Sequence, residues 1–137
     1  MKAISEVNNN FSAAQSNNVM TGTSTLTSSV SDIRYKDSIA FELEWTGTPV
    51  GTFTVQGCLD FSPSNEIQGI RGPPNAGNWV TITNLADVNG NSLVAAGAPG
   101  QILINMTQVG WPYIRVQYTN TSGSGLLTGY MSAKSLG

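Results

Sequence analysis

The residues that could support catalysis are few and lie far apart in this 137-residue chain. The sequence contains no histidine, which removes the most common general base and the most common zinc ligand. Glu42 and Glu44 come closest to a carboxylate pair, since they share one face of an alternating segment. The other face of that segment is apolar, so a solvated outer face explains both glutamates better. We expect no enzyme activity, no catalytic residue and no cofactor.

Metal binding and thiol chemistry have little support in the sequence. Asp87, Asn89 and Asn91 have the alternating oxygen ligands of a calcium-binding loop. The position of the required glycine is a serine, however, and no glutamate closes the loop, so a hairpin turn explains these residues. Cys58 is the single cysteine and lies within a strand pattern, with no cationic cluster nearby to lower its pKa. We interpret it as a small apolar residue and expect no metal site.

Aromatic rings are the remaining side chains that could act at a site, by stacking on a sugar or on another protein. Trp45 and Trp79 each belong to a strand pattern, where filling the core is the ordinary role. Trp111 lies between Gly110 and Pro112, so it is the better candidate for an exposed contact. We rank contact with protein ahead of contact with sugar.

Alternating apolar and polar residues predict short β-strands that are separated by turns. DSIAFELEW is the clearest strand, TFTVQGCLDF follows it with Phe53, Val55 and Leu59 inward, and YIRVQYTNTSGSGLLTGYMSAK predicts a hairpin. We predict a shared core of Phe41, Leu43, Trp45, Phe53, Val55, Ile114 and Val116. About eight such strands, without an amphipathic helix of ordinary length, predict an all-β fold. We expect an antiparallel β-sandwich of jelly-roll type that forms one domain over residues 23–137.

Residues 1–22 are polar and aperiodic, and they are rich in asparagine, which disfavours both helix and strand. Apolar residues are nevertheless spaced through this segment more densely than in a disordered tail. We predict an extended N-terminal arm, which either lies on a neighbouring subunit or frays as a terminus. Its deletion should leave the sandwich folded, because no predicted strand would be lost.

The composition favours protein partners over nucleic acid or membrane. Only 10% of the residues are charged, so the surface has many uncharged polar groups and little electrostatic repulsion. The basic residues form no stripe for nucleic acid, and no stretch approaches the roughly 20 apolar residues of a membrane span. No signal-peptide pattern occurs at the N-terminus. We expect a homo-oligomer, either a dimer or a trimer.

The predicted contacts with partners combine the apolar residues of the arm with two positions elsewhere. One of these two positions belongs to a long loop over residues 62–78, which glycine and proline interrupt repeatedly. The predicted contact residues are Ile4, Val7, Phe11, Val19 and Met20 of the arm, Arg71 of the long loop, and Trp111.

Three blocks of the sequence, WTGTPVGTFTVQGCLDFSP, NWVTIT and WPYIRVQYTNTSGSGLLTGYMSAK, resemble small β-proteins from the structural gene clusters of tailed bacteriophages. The resemblance is to capsid decoration or cement proteins, and it covers about Ser38 to Lys134 as a pattern of strand and turn residues. It implies a virion protein, made in the bacterial host cytoplasm, that binds the major capsid protein on the outer capsid surface. Such a protein would stabilise contacts between neighbouring capsomers. The alternative is a carbohydrate-binding β-sandwich, on a virion or a cell surface, that acts through Trp111 and the long loop.

Overall fold

The computed structural model describes residues 3–62, 76–83, 85–107 and 109–136, with side chains from residue 9 to residue 135 of these ranges. The described residues form two antiparallel sheets. The strands are β1 (Ala3–Phe11), β2 (Val19–Thr21), β3 (Thr25–Thr27), β4 (Ser31–Asp32), β5 (Ser38–Trp45), β6 (Val50–Cys58), β7 (Val80–Thr81), β8 (Val94–Ala96), β9 (Gly100–Thr107), β10 (Tyr113–Ser122) and β11 (Ser124–Leu136). Within the described ranges, no helix has the length and apolar character that a membrane span requires.

The strand order is that of a jelly roll. The first sheet has the order β1-β11-β5-β9, with β2 also paired to β11. The second sheet has the order β3-β10-β6-β7, and β4 and β8 also pair with β10 and β6. The chain changes sheet between β5 and β6, between β9 and β10, and between β10 and β11, as it does when a long antiparallel hairpin wraps on itself. The prediction of an all-β sandwich is confirmed. The prediction of a hairpin over residues 113–134 is wrong, because β10 and β11 belong to different sheets.

The core lies between the sheets, because alternate residues of the long strands are apolar and face inward. All seven residues that the sequence assigned to a shared core belong to one buried cluster. Leu59 is an exception to the predicted faces, since its side chain is 74% exposed. The reason is that β6 ends at Cys58, so the alternation of the strand no longer applies at the next residue.

The N-terminal segment belongs to the sandwich, so the prediction of an arm without strands is wrong. β1 pairs with β11 from Ala3 opposite Leu136 to Phe11 opposite Gly129, and β2 pairs with the first residues of β11. The side chains of Phe11 and Met20 are fully buried. Backbone hydrogen bonds to β11 and burial of these two side chains outweigh the low strand propensity of the asparagines.

Asparagine side chains fix the turn that follows β1. Asn17 donates from Nδ2 to the backbone oxygens of Asn10, at 2.8 Å, and Thr27, at 3.2 Å. Asn10 is itself buried, and its Nδ2 lies 3.2 Å from the hydroxyl of Ser29 and 3.4 Å from that of Ser31. Residues that the sequence presents as loop formers therefore tie β1 to the end of β3 and to the residues that follow it.

Candidate functional site

The structure places the two candidate catalytic glutamates on a solvated sheet face. Glu42 and Glu44 are exposed on the outer side of β5. Their neighbours on β11 and β9 carry no charge: Tyr130 and Leu103 lie opposite Glu42, and Thr128 and Gln101 lie opposite Glu44. The described part of the chain contains no group of three or more His, Cys, Asp or Glu residues that could hold a metal ion.

The Asp87 carboxylate organises a turn. Its Oδ1 accepts the backbone N–H groups of Asn89, at 3.0 Å, and Asn91, at 2.8 Å. Gly90 has a φ of 83°, a left-handed conformation that suits glycine. Through these contacts the carboxylate caps the turn. The interpretation as a hairpin is wrong, because the flanking strands β7 and β8 each pair with β6 and not with each other.

Cys58 is buried at the end of β6, and its thiol donates a hydrogen bond to Asp60 Oδ1 at 3.1 Å. Burial raises the pKa of the Cys58 thiol, and the Asp60 carboxylate raises it further because it stabilises the protonated form. Asp60 also accepts the backbone N–H of Asn78 at 2.8 Å, and this contact lowers the pKa of the Asp60 carboxyl. The thiol is therefore protonated at neutral pH and is a poor nucleophile.

An apolar groove lies at the end of the sandwich where β6 finishes and β10 begins. We call it the terminal groove; its walls include Gly57, Leu59, Val80, Ile82 and Trp111, and its volume is about 680 Å³. Leu59 is 74% exposed and Val80 is 67% exposed, so the groove has apolar side chains in contact with solvent. An apolar groove with exposed apolar side chains is typical of a surface that contacts another molecule.

Trp111 forms a wall of the terminal groove and is half-buried against the core. Its ring covers Gly57 so closely that a Cβ at position 57 would lie 2.8 Å from the indole. The indole Nε1 is buried and has no hydrogen-bond partner among the residues that the structure describes. Because a buried N–H without an acceptor costs free energy, an acceptor supplied by a bound molecule would stabilise this arrangement.

A second surface lies on the outer side of the second sheet at the same end. We call it the aromatic–arginine patch; its residues are Phe61, Trp79, Tyr113 and Arg115. The Phe61 ring centroid lies 5.8 Å from that of Trp79 and 5.2 Å from that of Tyr113. The Arg115 guanidinium carbon lies 4.3 Å from the Trp79 centroid, within the range of a cation–π contact. Tryptophan, tyrosine and arginine are the residues that most often dominate the energetics of protein interfaces.

The interpretation of Trp79 as a core residue is wrong. Its half-buried ring packs on Phe61 and Arg115, outside the buried cluster, and its Nε1 donates to the backbone oxygen of Ala76 at 2.8 Å. The reason is the short length of β7, which consists of Val80 and Thr81 alone. Trp79 lies before the strand begins, so the alternation of the strand does not direct its side chain toward the core. No local signal in the sequence distinguishes this tryptophan from a buried one.

The predicted contact residues of the N-terminal segment lie in different environments. Phe11 and Met20 lie in the chain's own core, so their assignment to a partner surface is wrong. Val19 is exposed on the outer side of the first sheet, opposite the exposed Leu126. Ile4 and Val7 belong to β1, but their side chains lie outside the described residues.

The other two predicted contact residues lie outside the N-terminal segment. Arg71 and most of the long loop lie outside the described residues. Trp111 lies in the wall of the terminal groove, where the structure brings it together with Leu59 and Val80. The sequence contained one signal for this groove, the glycine and proline that flank Trp111. It contained none for Leu59, which the strand pattern placed inside.

Comparison with known proteins identifies the fold and no family. No protein-family model matches the chain, and no curated protein sequence is detectably similar to it. The solved structure of the SPBc2 prophage-derived protein YomS is similar, with a TM-score of 0.53, 7% identity, and coverage of 98% of this chain and 96% of that chain. The structure of infectious bursal disease virus, Gx strain, contains a similar chain, with a TM-score of 0.53 and 11% identity; the match covers 97% of this chain and 32% of the viral one. Both neighbours come from viral sources, and at these identities the similarity establishes a shared fold.

Proposed function

We propose that this protein is a structural virion protein of a tailed bacteriophage. In this proposal it decorates the outer capsid surface, binds the major capsid protein and stabilises contacts between neighbouring capsomers. The observation that carries the proposal is the fold match to a prophage-derived protein over nearly the full length of both chains. The viral source of the second neighbour and the resemblance of the strand and turn blocks to phage decoration proteins support the same function.

The terminal groove is the surface that we assign to the capsid. Leu59 and Val80 leave apolar area in water that a partner would cover, and burial of apolar area is the main favourable term in association. An apolar side chain of the capsid protein would enter the groove, and a backbone carbonyl beside it would accept the hydrogen bond of Trp111 Nε1. Because the protein would bind assembled capsomers and not free ones, its binding would shift the equilibrium between free and assembled capsomers toward the particle.

Co-sedimentation with capsids of the parent phage, assembled without this protein, tests the proposal. Leu59→Asp should weaken binding at least tenfold, about 1.4 kcal/mol, because a carboxylate would be placed in the apolar contact. Val88→Asp is the matched control, since Val88 is 56% exposed and lies outside the groove; its binding should stay within about threefold of wild type. Equal binding by the two variants would reject the groove as the contact, and failure of the wild-type protein to sediment with the capsids would reject the function.

Glycan binding is the second candidate, because the half-buried Trp79 lies beside polar groups. The side chain of Asn78, the residue that precedes Trp79, donates to Asp60 Oδ2 at 3.1 Å, and sugars bind where aromatic rings adjoin such hydrogen-bonding groups. Retention on immobilised glycans that Trp79→Ala abolishes, without sedimentation on capsids, would favour this candidate.

A further inference from the structure

We propose that this protein associates with copies of itself head to tail, through an arginine on one outer face and a glutamate on the other. The aromatic–arginine patch on the second sheet of one copy would contact the outer face of the first sheet of the next copy. We call the second surface the acidic face; its residues are Glu42, Glu44, Leu103 and Tyr130. The two surfaces lie on opposite sides of the sandwich, so they cannot meet within one chain.

Arg115 is held in the orientation that a carboxylate partner needs. Its Nε donates to Gln56 Oε1 at 2.8 Å, and its guanidinium stacks on the Trp79 ring. These two contacts fix the plane of the guanidinium and leave its two terminal nitrogens available for a bidentate carboxylate. Among the described residues, Arg115 makes no ion pair, whereas Arg34 nearby is already paired with Asp32 at 2.6 Å.

Glu42 has the matching environment on the acidic face. It lies directly between Tyr130 and Leu103 in the register of the first sheet, and these side chains are 40% and 41% exposed. Neither Glu42 nor Glu44 makes an ion pair with any residue that the structure describes. A carboxylate between partly exposed apolar side chains fits an arginine that stacks on aromatic rings, because the charges pair while the surrounding apolar area is buried.

A second copy of this chain is the partner that supplies both halves of the contact. The rest of the outer side of the second sheet is mainly threonine and glutamine, so Arg115 is the one cation that its strands β6 and β10 carry among the described residues. A contact between two different surfaces is heterologous, and it closes into a ring when the rotation between copies permits. The inference does not depend on capsid binding. If the protein self-associates but does not bind capsids, the proposed function is rejected and this contact is still supported.

Charge reversal and exchange test the contact by sedimentation velocity over a concentration series. Arg115→Glu and Glu42→Arg should each raise the dissociation constant at least tenfold, because each places like charges together. The double variant with both changes should return to within about threefold of wild type, because every contact then pairs opposite charges again. Lys134→Glu is the control for net charge, since it makes the same change in charge as Arg115→Glu. Lys134 is exposed on the same outer face as Glu42, four residues from Tyr130 along β11, so the new carboxylate adds to the acidic face and should not raise the dissociation constant.

Circular dichroism of each variant separates loss of contact from loss of fold. If Arg115→Glu does not fold, Arg115→Gln removes the charge without introducing a repulsive one and should still raise the dissociation constant about threefold or more. A wild-type protein that remains monomeric at every concentration would overturn the inference. So would a double variant that associates no better than its parents.

Discussion

Trp45 and Trp111 lie at opposite ends of the sandwich, and each packs against a glycine of a neighbouring strand. A Cβ added to Gly100 would lie 2.8 Å from the Trp45 ring, and a Cβ added to Gly57 would lie 2.8 Å from the Trp111 ring. Trp45 is buried, and its Nε1 donates to the backbone oxygen of Ala98 at 2.8 Å. Trp111 is half-buried, and its Nε1 has no hydrogen-bond partner within the described part of the chain. We refer to these as the closed end and the open end.

The closed end satisfies its polar groups within the chain. Phe53 stacks between Trp45 and Tyr118, with ring centroids 5.2 Å and 4.5 Å away. The Tyr118 hydroxyl donates to Asn120 Oδ1 at 2.7 Å, and Asn120 Nδ2 donates to the backbone oxygen of Gly22 at 2.9 Å. Buried polar groups that are fully hydrogen-bonded make one arrangement of the chain far more stable than others.

The difference between the ends indicates which end is built for contact. The open end leaves an indole N–H without an acceptor among the described residues, whereas the indole N–H at the closed end is hydrogen-bonded to Ala98. Exposed apolar side chains occur at both ends, Leu59 and Val80 at the open end and Val19 and Leu126 at the closed end, so the indole is what distinguishes them. Local departures from well-satisfied packing in a fold that is otherwise consistent are expected at functional sites.

Removal of residues 1–21 should have the largest effect of the changes considered for the two ends. It deletes β1 and β2 and removes Phe11 and Met20 from the core. The first residues of β11, at the closed end, lose their pairing with β2. Truncation of each buried side chain costs about 2–5 kcal/mol, and a domain of this kind has about 5–15 kcal/mol in total. We expect no cooperative transition in urea or on heating, followed by circular dichroism. A truncated protein with an unchanged melting temperature would show that the segment is dispensable, as an external arm would be.

The sequence predicts the elements whose faces alternate and fails where pairing overrides local preference. β5 and β10 alternate cleanly, so their buried residues, such as Phe41 and Val116, could be assigned without a structure. β1 could not, because Asn10 is an outward-facing residue by type, and the partners of its buried Nδ2, Ser29 and Ser31, lie about twenty positions away. Long-range partners of this kind leave no periodic signal in the sequence.

The candidate site was predictable only in part, for the same physical reason. Trp111 was assigned as a contact residue from its flanking glycine and proline, and it lies in the groove. Leu59 and Trp79 were assigned to the core because they extend strand patterns, but the strands stop one residue short of each of them. Strand ends are set by which backbone groups find partners, and this depends on the whole sheet.

Replacement of each tryptophan by phenylalanine sharpens the comparison of the ends with a matched pair. Trp45→Phe loses the hydrogen bond to Ala98 and leaves space in a buried site, so it should lower the free energy of unfolding by about 1–3 kcal/mol. Trp111→Phe removes an N–H that has no acceptor among the described residues of the free protein, so the loss should be below about 1 kcal/mol. Urea denaturation measures both free energies of unfolding. If the free energy falls with urea concentration at a similar slope in both variants, their unfolded states are comparable. Equal losses would contradict the distinction between a closed and an open end.

Acidification should have the smallest effect, and it should act at the open end alone. Asp60 accepts the backbone N–H of Asn78 at 2.8 Å, and this contact holds the pKa of Asp60 below its ordinary value. A carboxyl with a lowered pKa in the folded state stabilises the fold at pH values above the unfolded pKa of about 3.9, and that stabilisation is lost as the pH falls through the folded pKa. The hydrogen-bonded side chains of Tyr118 and Asn120 at the closed end do not ionise in this range, since burial raises the pKa of Tyr118.

The amide resonance of Asn78, followed by NMR from pH 6 to pH 2, should therefore shift with a midpoint below about 3.9, while that of Asn120 stays constant. In Asp60→Asn the shift of the Asn78 resonance should disappear, and the melting temperature should depend less on pH below about 4 than it does in the wild-type protein. An Asn120 resonance that moved together with that of Asn78 would show that the two ends respond to acid as one unit.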